Sequence, residues 1–239
     1  LDVLGVGVLD AMAALDEVER KAQEASQEAR KRTAERRAAK GSNDAFIAAV
    51  NAANPLAECF ARYGFDTYLS DIKDEQIEKA KGTIDFVFKT LVGGGFLTEA
   101  EAEEAKKRIT LTTNQAEAVG KADFVVETVP ERLEIKKAVF EELSKQSKPG
   151  TILASNTSGI PITTLQEGIS HPNRVVGMHW SNPPHLIPVI EVIKGAQTDG
   201  ETVETIKEII AKIGMVAGIV DKDVPGFVEN RILYAIMRE

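Results

Sequence analysis

Cysteine is all but missing from this chain of 239 residues. Cys59 is the single one, so no internal disulfide can form, and as a small apolar residue it is expected to pack on a helix. A reducing cytoplasm suits that usage. Basic residues are outnumbered, 29 Lys and Arg against 37 Asp and Glu. The resulting charge of −8 argues against nucleic acid as a partner, because a phosphate backbone calls for a basic surface. No apolar run reaches the roughly 18 residues of a membrane span, and no basic region precedes an apolar stretch at the start, as a signal peptide would require. Methionine is missing from position 1, and the chain stops at Glu239 inside an apparent helix. A piece of a longer protein is the expectation. Histidine is scarce too, with three in all, so each can be weighed individually.

What is present is an alternating pattern. Residues 15–40 are rich in Ala, Glu, Lys and Arg without Gly or Pro, which reads as a long solvated helix or linker ended by Gly41. Apolar positions there are too sparse for a heptad seam. After residue 44, strands are expected at 45–50, 65–70, 109–112, 123–127, 151–154, 175–179, 187–192 and 216–220. Helices are expected at 54–63, 74–91, from Thr98 onward, and at 134–144, 163–167, 202–213 and 228–239. Asn54-Pro55 is a helix start, and Thr98-Glu99-Ala100-Glu101 spells a capping box. Gly93-Gly94-Gly95 reads as a turn between helices rather than a phosphate loop. Strands alternating with helices imply an α/β fold with a mostly parallel sheet covered on both faces. Such sheets bind ligands beyond the carboxyl ends of their strands. Asp71, Glu127, Ser155 and His179 all fall at those ends.

The stretch 154–191 carries the most chemistry. It holds Ala154-Ser155-Asn156-Thr157-Ser158-Gly159-Ile160-Pro161, Gly177-Met178-His179-Trp180-Ser181-Asn182-Pro183-Pro184, and Glu191. A histidine oriented by a glutamate moves protons near neutral pH; a core histidine satisfied by a backbone carbonyl is the plainer reading. Asp71, ending the second strand, is placed to bond a ribose diol or to cap the next helix. His171 reads as exposed. His185 reads as loop structure or a contact to a substrate carboxylate, and Trp180, the single tryptophan, as a pocket wall or core.

On these motifs, residues 56–239 resemble the 3-hydroxyacyl-CoA dehydrogenase family. The matching runs are Tyr68-Leu69-Ser70-Asp71, Val126-Glu127-Thr128-Val129-Pro130-Glu131, Ala154-Ser155-Asn156-Thr157-Ser158, Gly177-Met178-His179, Asn182-Pro183, Glu191-Val192 and Pro225-Gly226-Phe227-Val228-Glu229-Asn230-Arg231. The wording Trp180-Ser181-Asn182-Pro183-Pro184-His185 resembles the branch that oxidises small hydroxy compounds free of coenzyme A, such as the pyridoxine-degradation dehydrogenases. The resemblance implies a Rossmann-like doubly wound domain over 45–225. A helical extension or insertion precedes it at 1–44, and the first helix of a C-terminal domain follows at 226–239. It implies NAD as cofactor and a small hydroxy substrate or a CoA thioester, with no membrane or nucleic-acid partner and a homodimer only in the longer protein. His179 then resembles the base that takes the hydroxyl proton, and Glu191 the carboxylate that orients it. Ser158 and Asn230 resemble the groups that hold the substrate oxygen; Asp71, Glu131, Lys136 and Asn156 lie near the cofactor.

Two departures stand out. Counted back from Asp71 without gaps, the glycine fingerprint Gly-x-Gly-x-x-Gly falls on Ala48, Val50 and Ala53. A second candidate, Val3-Leu4-Gly5-Val6-Gly7-Val8-Leu9-Asp10, keeps two glycines but ends on an acid. The family's polar coenzyme A positions become Val87 and Gly94. An NAD-dependent dehydrogenase is the leading expectation, and a catalytically silent Rossmann-like scaffold is the alternative.

Overall fold

The computed structural model describes the backbone of residues 47–51 and residues 56–182, 184 and 187–238 in full. The expected helix at 15–40, the Val3–Asp10 fingerprint candidate, Ala53 and His185 lie outside them. The elements in chain order are β1 (Ile47–Asn51), α1 (Leu56–Arg62), β2 (Asp66–Ser70), α2 (Asp74–Gly93), α3 (Glu99–Lys106), β3 (Ile109–Thr112), α4 (Gln115–Lys121) and β4 (Phe124–Glu127). There follow α5 (Leu133–Gln146), β5 (Ile152–Ser155), α6 (Ile162–Leu165), β6 (Val175–Trp180), β7 (Val189–Ile193), α7 (Gly200–Lys212), β8 (Val216–Val220) and α8 (Glu229–Ile236).

The eight strands form one sheet in the order β3-β2-β1-β4-β5-β6-β7-β8. The chain winds outward from β1 through β2 and β3, then returns to place β4 on the other side. That reversal is the topological switch point at which doubly wound sheets open a binding crevice. All pairings are parallel except β6 with β7. Only residues 181–188 join those two strands, fewer than the dozen or so that a parallel crossover needs.

The central strands β4, β5 and β6 are buried along their whole length. This is why they read as apolar runs rather than alternating patterns. Their two faces feed separate cores. Phe124, Val126, Met178 and Val192 join α1 and α7 on one side; Val125, Leu153, Val175 and Ile193 join α5, α6 and Phe227 on the other. Trp180 is 2% exposed and meets Phe60 edge-on at 5.5 Å, so it is core and not a pocket wall. Cys59 is buried in α1 and desolvation pushes its thiol well up. The α2–α3 hairpin turns through Gly95 at φ +73°, and both hydrogen bonds of the Thr98–Glu101 capping box are made. Helix α4 escaped the sequence reading; its signal was Asn114, whose side chain caps the Glu117 amide. Among the described residues no helix is long and apolar enough to cross a membrane.

Gly177 lets β6 sit close to its neighbours. A Cβ there would stand 2.8 Å from the Cβ of Ile193 and 2.9 Å from Ile162 Cδ1. Gly177→Ala is therefore expected to lose about 1–3 kcal/mol by overpacking. Gly82, exposed in α2 with nothing within 4 Å of its would-be Cβ, is the opposite case. Gly82→Ala is expected to gain about 0.5–1 kcal/mol from helix propensity. Urea unfolding of both variants checks the opposed signs.

Candidate active site

His179 and Glu191 face each other across the β6–β7 ladder. Their separation of twelve residues is thus a hairpin register, which sets two side chains side by side on one face. The imidazole Nδ1 lies 2.8 Å from Glu191 Oε2. A carboxylate can only accept there, which assigns the proton to Nδ1 and leaves the lone pair on Nε2. The other oxygen of Glu191 accepts the backbone N–H groups of Val228 at 3.0 Å and Glu229 at 2.9 Å. These are first-turn donors of α8 that have no partner within their own helix. Gly226 at φ +78° and Phe227 at φ +47° turn the chain so that those groups point at the carboxylate. Phe227 is the one non-glycine among the described residues with positive φ, a conformation that costs about 1–2 kcal/mol. Burial to 1% exposure, with its ring centroid 5.9 Å from that of His179, holds it there.

A second buried assembly joins the ends of β4 and β5. Glu127, fully buried, accepts from Lys136 Nζ at 2.9 Å, Val129 N at 2.6 Å and Ser155 Oγ at 2.7 Å. Lys136, 1% exposed, also donates to the Val129 carbonyl and pairs with Glu131 at 3.3 Å. Glu131 in turn accepts from Thr157 Oγ1, Ser158 N and Gly159 N at 2.5, 3.0 and 3.2 Å. Partial burial works against its charge. The Thr157 hydroxyl, the Lys136 ammonium and the Ser158 amide outweigh that and hold its carboxyl below the ordinary value.

The residues expected from sequence fall into two groups. Ser158 and Asn230 meet directly: the Asn230 amide donates to the Ser158 carbonyl at 2.8 Å, across 72 residues of chain. Through Glu131 and α8 they link the second assembly to the His179–Glu191 pair. Asn156 belongs there as well, with its side-chain oxygen accepting from Trp180 N at 3.0 Å. Asp71 stands apart, just past β2, where it accepts from Lys73 N at 3.1 Å. Lys136 is not the surface partner that spacing alone suggests; its donors are spent on Glu127, Val129 and Glu131. His171 is exposed, as expected. Sequence reading gave no site role to Glu127, Thr157, Ser181 or Glu229. Ser181 donates to Glu229 Oε2 at 2.7 Å. Their positions inside matching motifs were the available signal.

Fit to a dinucleotide can be tested on these residues. Asp71 sits next to the switch point at the carboxyl end of the sheet, the place for a ribose diol, and its charge disfavours a 2′-phosphate. The ungapped fingerprint count fails in one respect: Ala48 and Val50 lie inside β1, paired with Thr67 and Leu69 on one side and Phe124 and Val126 on the other. They are strand residues, not turn residues. The connection that follows is 52–55, Ala-Ala-Asn-Pro, which contains no glycine. The ribose end of the crevice fits the group.

A doubly wound sheet with a carboxylate-held histidine at its crevice is a Rossmann-like α/β fold. Residues 52–224 match the family model of the 3-hydroxyacyl-CoA dehydrogenase, NAD binding domain. The chain belongs to that family. It is 45% identical over 184 residues to 5-formyl-3-hydroxy-2-methylpyridine 4-carboxylate 5-dehydrogenase of Mesorhizobium japonicum, covering 77% of this chain and 59% of that protein. It is 39% identical over 184 residues to the probable 3-hydroxybutyryl-CoA dehydrogenase of Deinococcus radiodurans, covering 77% and 65%. A crystal structure of 3-hydroxybutyryl-CoA dehydrogenase from Escherichia coli K12 superposes with a TM-score of 0.75 at 34% identity, over 79% of this chain and 40% of that one. The chain thus spans about three-fifths of the length of these two curated relatives.

Two measurements check the second assembly. Lys136→Met leaves Glu127 buried without its cation and is expected to cost about 3–5 kcal/mol. The double variant Glu127→Gln/Lys136→Met is expected to recover at least half of that loss in urea unfolding. Glu131 titrates lower in the folded chain than in the unfolded one, so its contribution to stability is present above the ordinary value of 4.5 and fades as pH falls below it. The stability gap between the parent and Glu131→Gln is expected to be constant from pH 7 to about 5 and to shrink at more acid pH. A gap that stays constant to pH 3 would refute this.

Proposed function

We propose that this chain is the cofactor-binding part of an NAD-dependent dehydrogenase that interconverts a hydroxy substrate and its carbonyl. The observation that carries the reading is the His179–Glu191 pair, whose Nε2 is left as a proton acceptor at the carboxyl ends of the strands. When bound, the nicotinamide supplies hydride transfer. The chain's own residues do the rest. Nε2 of His179 takes the hydroxyl proton, and Glu191 holds the ring in the tautomer with Nδ1 protonated and stabilises the imidazolium that results. Asn230 and Ser158, locked together at the mouth of the pair, hold the substrate oxygen. Glu131 fixes the loop that carries Ser158 and lines the nicotinamide end. Lys136 acts through Glu131 rather than by touching cofactor, since its donors are already committed. Asp71 takes the adenosine ribose.

A small substrate is favoured over a CoA thioester. Val87 is 4% exposed, and a Cβ added at Gly94 would meet the Phe96 ring at 2.9 Å. Neither offers a polar contact to coenzyme A. The Mesorhizobium relative, named for a pyridine carboxylate, agrees with that preference. Its relatives are dehydrogenases and the proton-moving pair is intact, so nothing favours the silent scaffold. A reducing cytoplasm suits the buried, lone Cys59.

Titration of NADH into the chain, followed by nicotinamide fluorescence, is expected to saturate below millimolar cofactor. His179→Gln is expected to keep that binding while turnover in the full-length protein falls about 10³-fold. Unchanged turnover in this variant would sink the assignment.

A further inference from the structure

Past β8 the described chain has a single apolar hold on the core. From Asp221 to Arg238, Phe227 is the one buried residue, and α8 itself buries none. Phe227 shares a core with Val125, Leu153, Ile162, Val175 and Ile193, which come from β4, β5, α6, β6 and β7. The turn that brings it there is tight. Phe227 N donates to the Val224 carbonyl at 3.1 Å, with Pro225 and then Gly226 at φ +78° between them. Proline followed by a glycine of positive φ is what a type II turn asks for. Such a turn needs nothing unusual from the residue after it. Phe227 nevertheless takes φ +47°, a region that L side chains enter at a cost. A residue kept there is over-determined by its surroundings, and strain of this kind gathers at functional sites. The next two amides, those of Val228 and Glu229, are the ones Glu191 accepts. Rotation of Phe227 to an ordinary negative φ would swing both away from the carboxylate.

We propose that Phe227 is a positioning residue for proton transfer. Its ring anchors the strained turn, and the turn aims two amides at one oxygen of Glu191. The other oxygen of Glu191 is thereby held against His179 Nδ1 at 2.8 Å. The part played in turnover rests on the reading of His179 as the proton acceptor; the effect on the tautomer does not. Without the two amides the Glu191 carboxylate is free to turn, and nothing else fixes which nitrogen of His179 carries the proton. The tautomer protonated on Nε2 has no lone pair there to take a hydroxyl proton. Asn230 reaches the Ser158 carbonyl from the same start of α8, so loss of the anchor loosens that contact as well.

Leucine and its isomer isoleucine separate the turn from the packing. They fill the core alike, but branching at Cβ makes a positive φ far less accessible to isoleucine. Nitrogen NMR of the imidazoles in the 239-residue chain reports the tautomer, with the His179 signals identified by their loss in His179→Gln. Phe227→Leu is expected to keep the parent pattern, with Nδ1 protonated. Phe227→Ile is expected to show the two tautomers averaged, and turnover in the full-length protein is expected to fall about 10²-fold. A packing role alone makes the isomers behave alike, so the same pattern in both folded variants would overturn the proposal. So would loss of the parent pattern in Phe227→Leu. Amide exchange gives a second reading should Phe227→Ile not fold. Phe227→Ala, which gives up the anchor, is expected to speed exchange of the Val228 and Glu229 amides about tenfold relative to those of β5. Unchanged exchange at both amides would equally overturn it. Failure of the hydride-transfer reading would show elsewhere, in NADH binding and in the turnover of His179→Gln.

Discussion

The carboxylate of Glu191 is the point at which the rest of the site is assembled. One of its oxygens orders an imidazole on the neighbouring strand, and the other gathers two amide groups from a helix 37 and 38 residues away. Neither job is possible without the other elements in register. The hairpin must pair Glu191 with His179, and the chain must turn left-handed at Gly226 and Phe227 for the amides to arrive. A single buried anion thus fixes a side-chain tautomer, a strand register and a helix start. Its desolvation is offset because both of its oxygens accept from donors, one from the imidazole and the other from two amides.

From there a continuous set of bonds runs to the other side of the crevice. Helix α8 carries Asn230 to the Ser158 carbonyl. The loop of Ser158 is bound by Glu131, which pairs with Lys136, which neutralises Glu127 beneath Ser155. The members come from β4, β5, β6, β7, α5, α8 and the loops between them, and most of the links span 20 or more residues. Loops at a crevice are ordinarily the mobile part of an α/β fold. Here buried ionic and hydrogen-bonded links make them part of the scaffold, which suits a reaction needing two partners held within bonding distance.

Much of this was legible in the sequence because its periodicities are strong. Apolar runs such as Phe124–Val126 and Val175–Met178 can only be buried strands in a chain that alternates with helices, and acids or histidine just past them belong to the crevice. His179 and Glu191 were readable as a pair because each lies in a motif of its own. Pairwise geometry was not readable. Nothing in the spacing of Glu131 and Lys136 says that the lysine is buried and the glutamate half-exposed, because that depends on Glu127 lying below. Asn230 meeting Ser158 is likewise a tertiary fact. The fingerprint count shows the same limit. A gap-free count from Asp71 assumes that β1 ends where the family's glycines begin, and the register of β1 against β2 and β4 carries the strand past two of those positions.

Glu127, Glu131, Glu191 and Glu229 differ in their partners. Glu127 is answered by a full cation, Glu191 by an imidazole and two amides, and Glu131 by a hydroxyl, two amides and a shared ammonium. Each of these is consumed in holding the protein together. Glu229 has a hydroxyl alone. Buried charge left uncompensated costs stability. Half-burial of Glu229 lowers that cost by keeping water on one side.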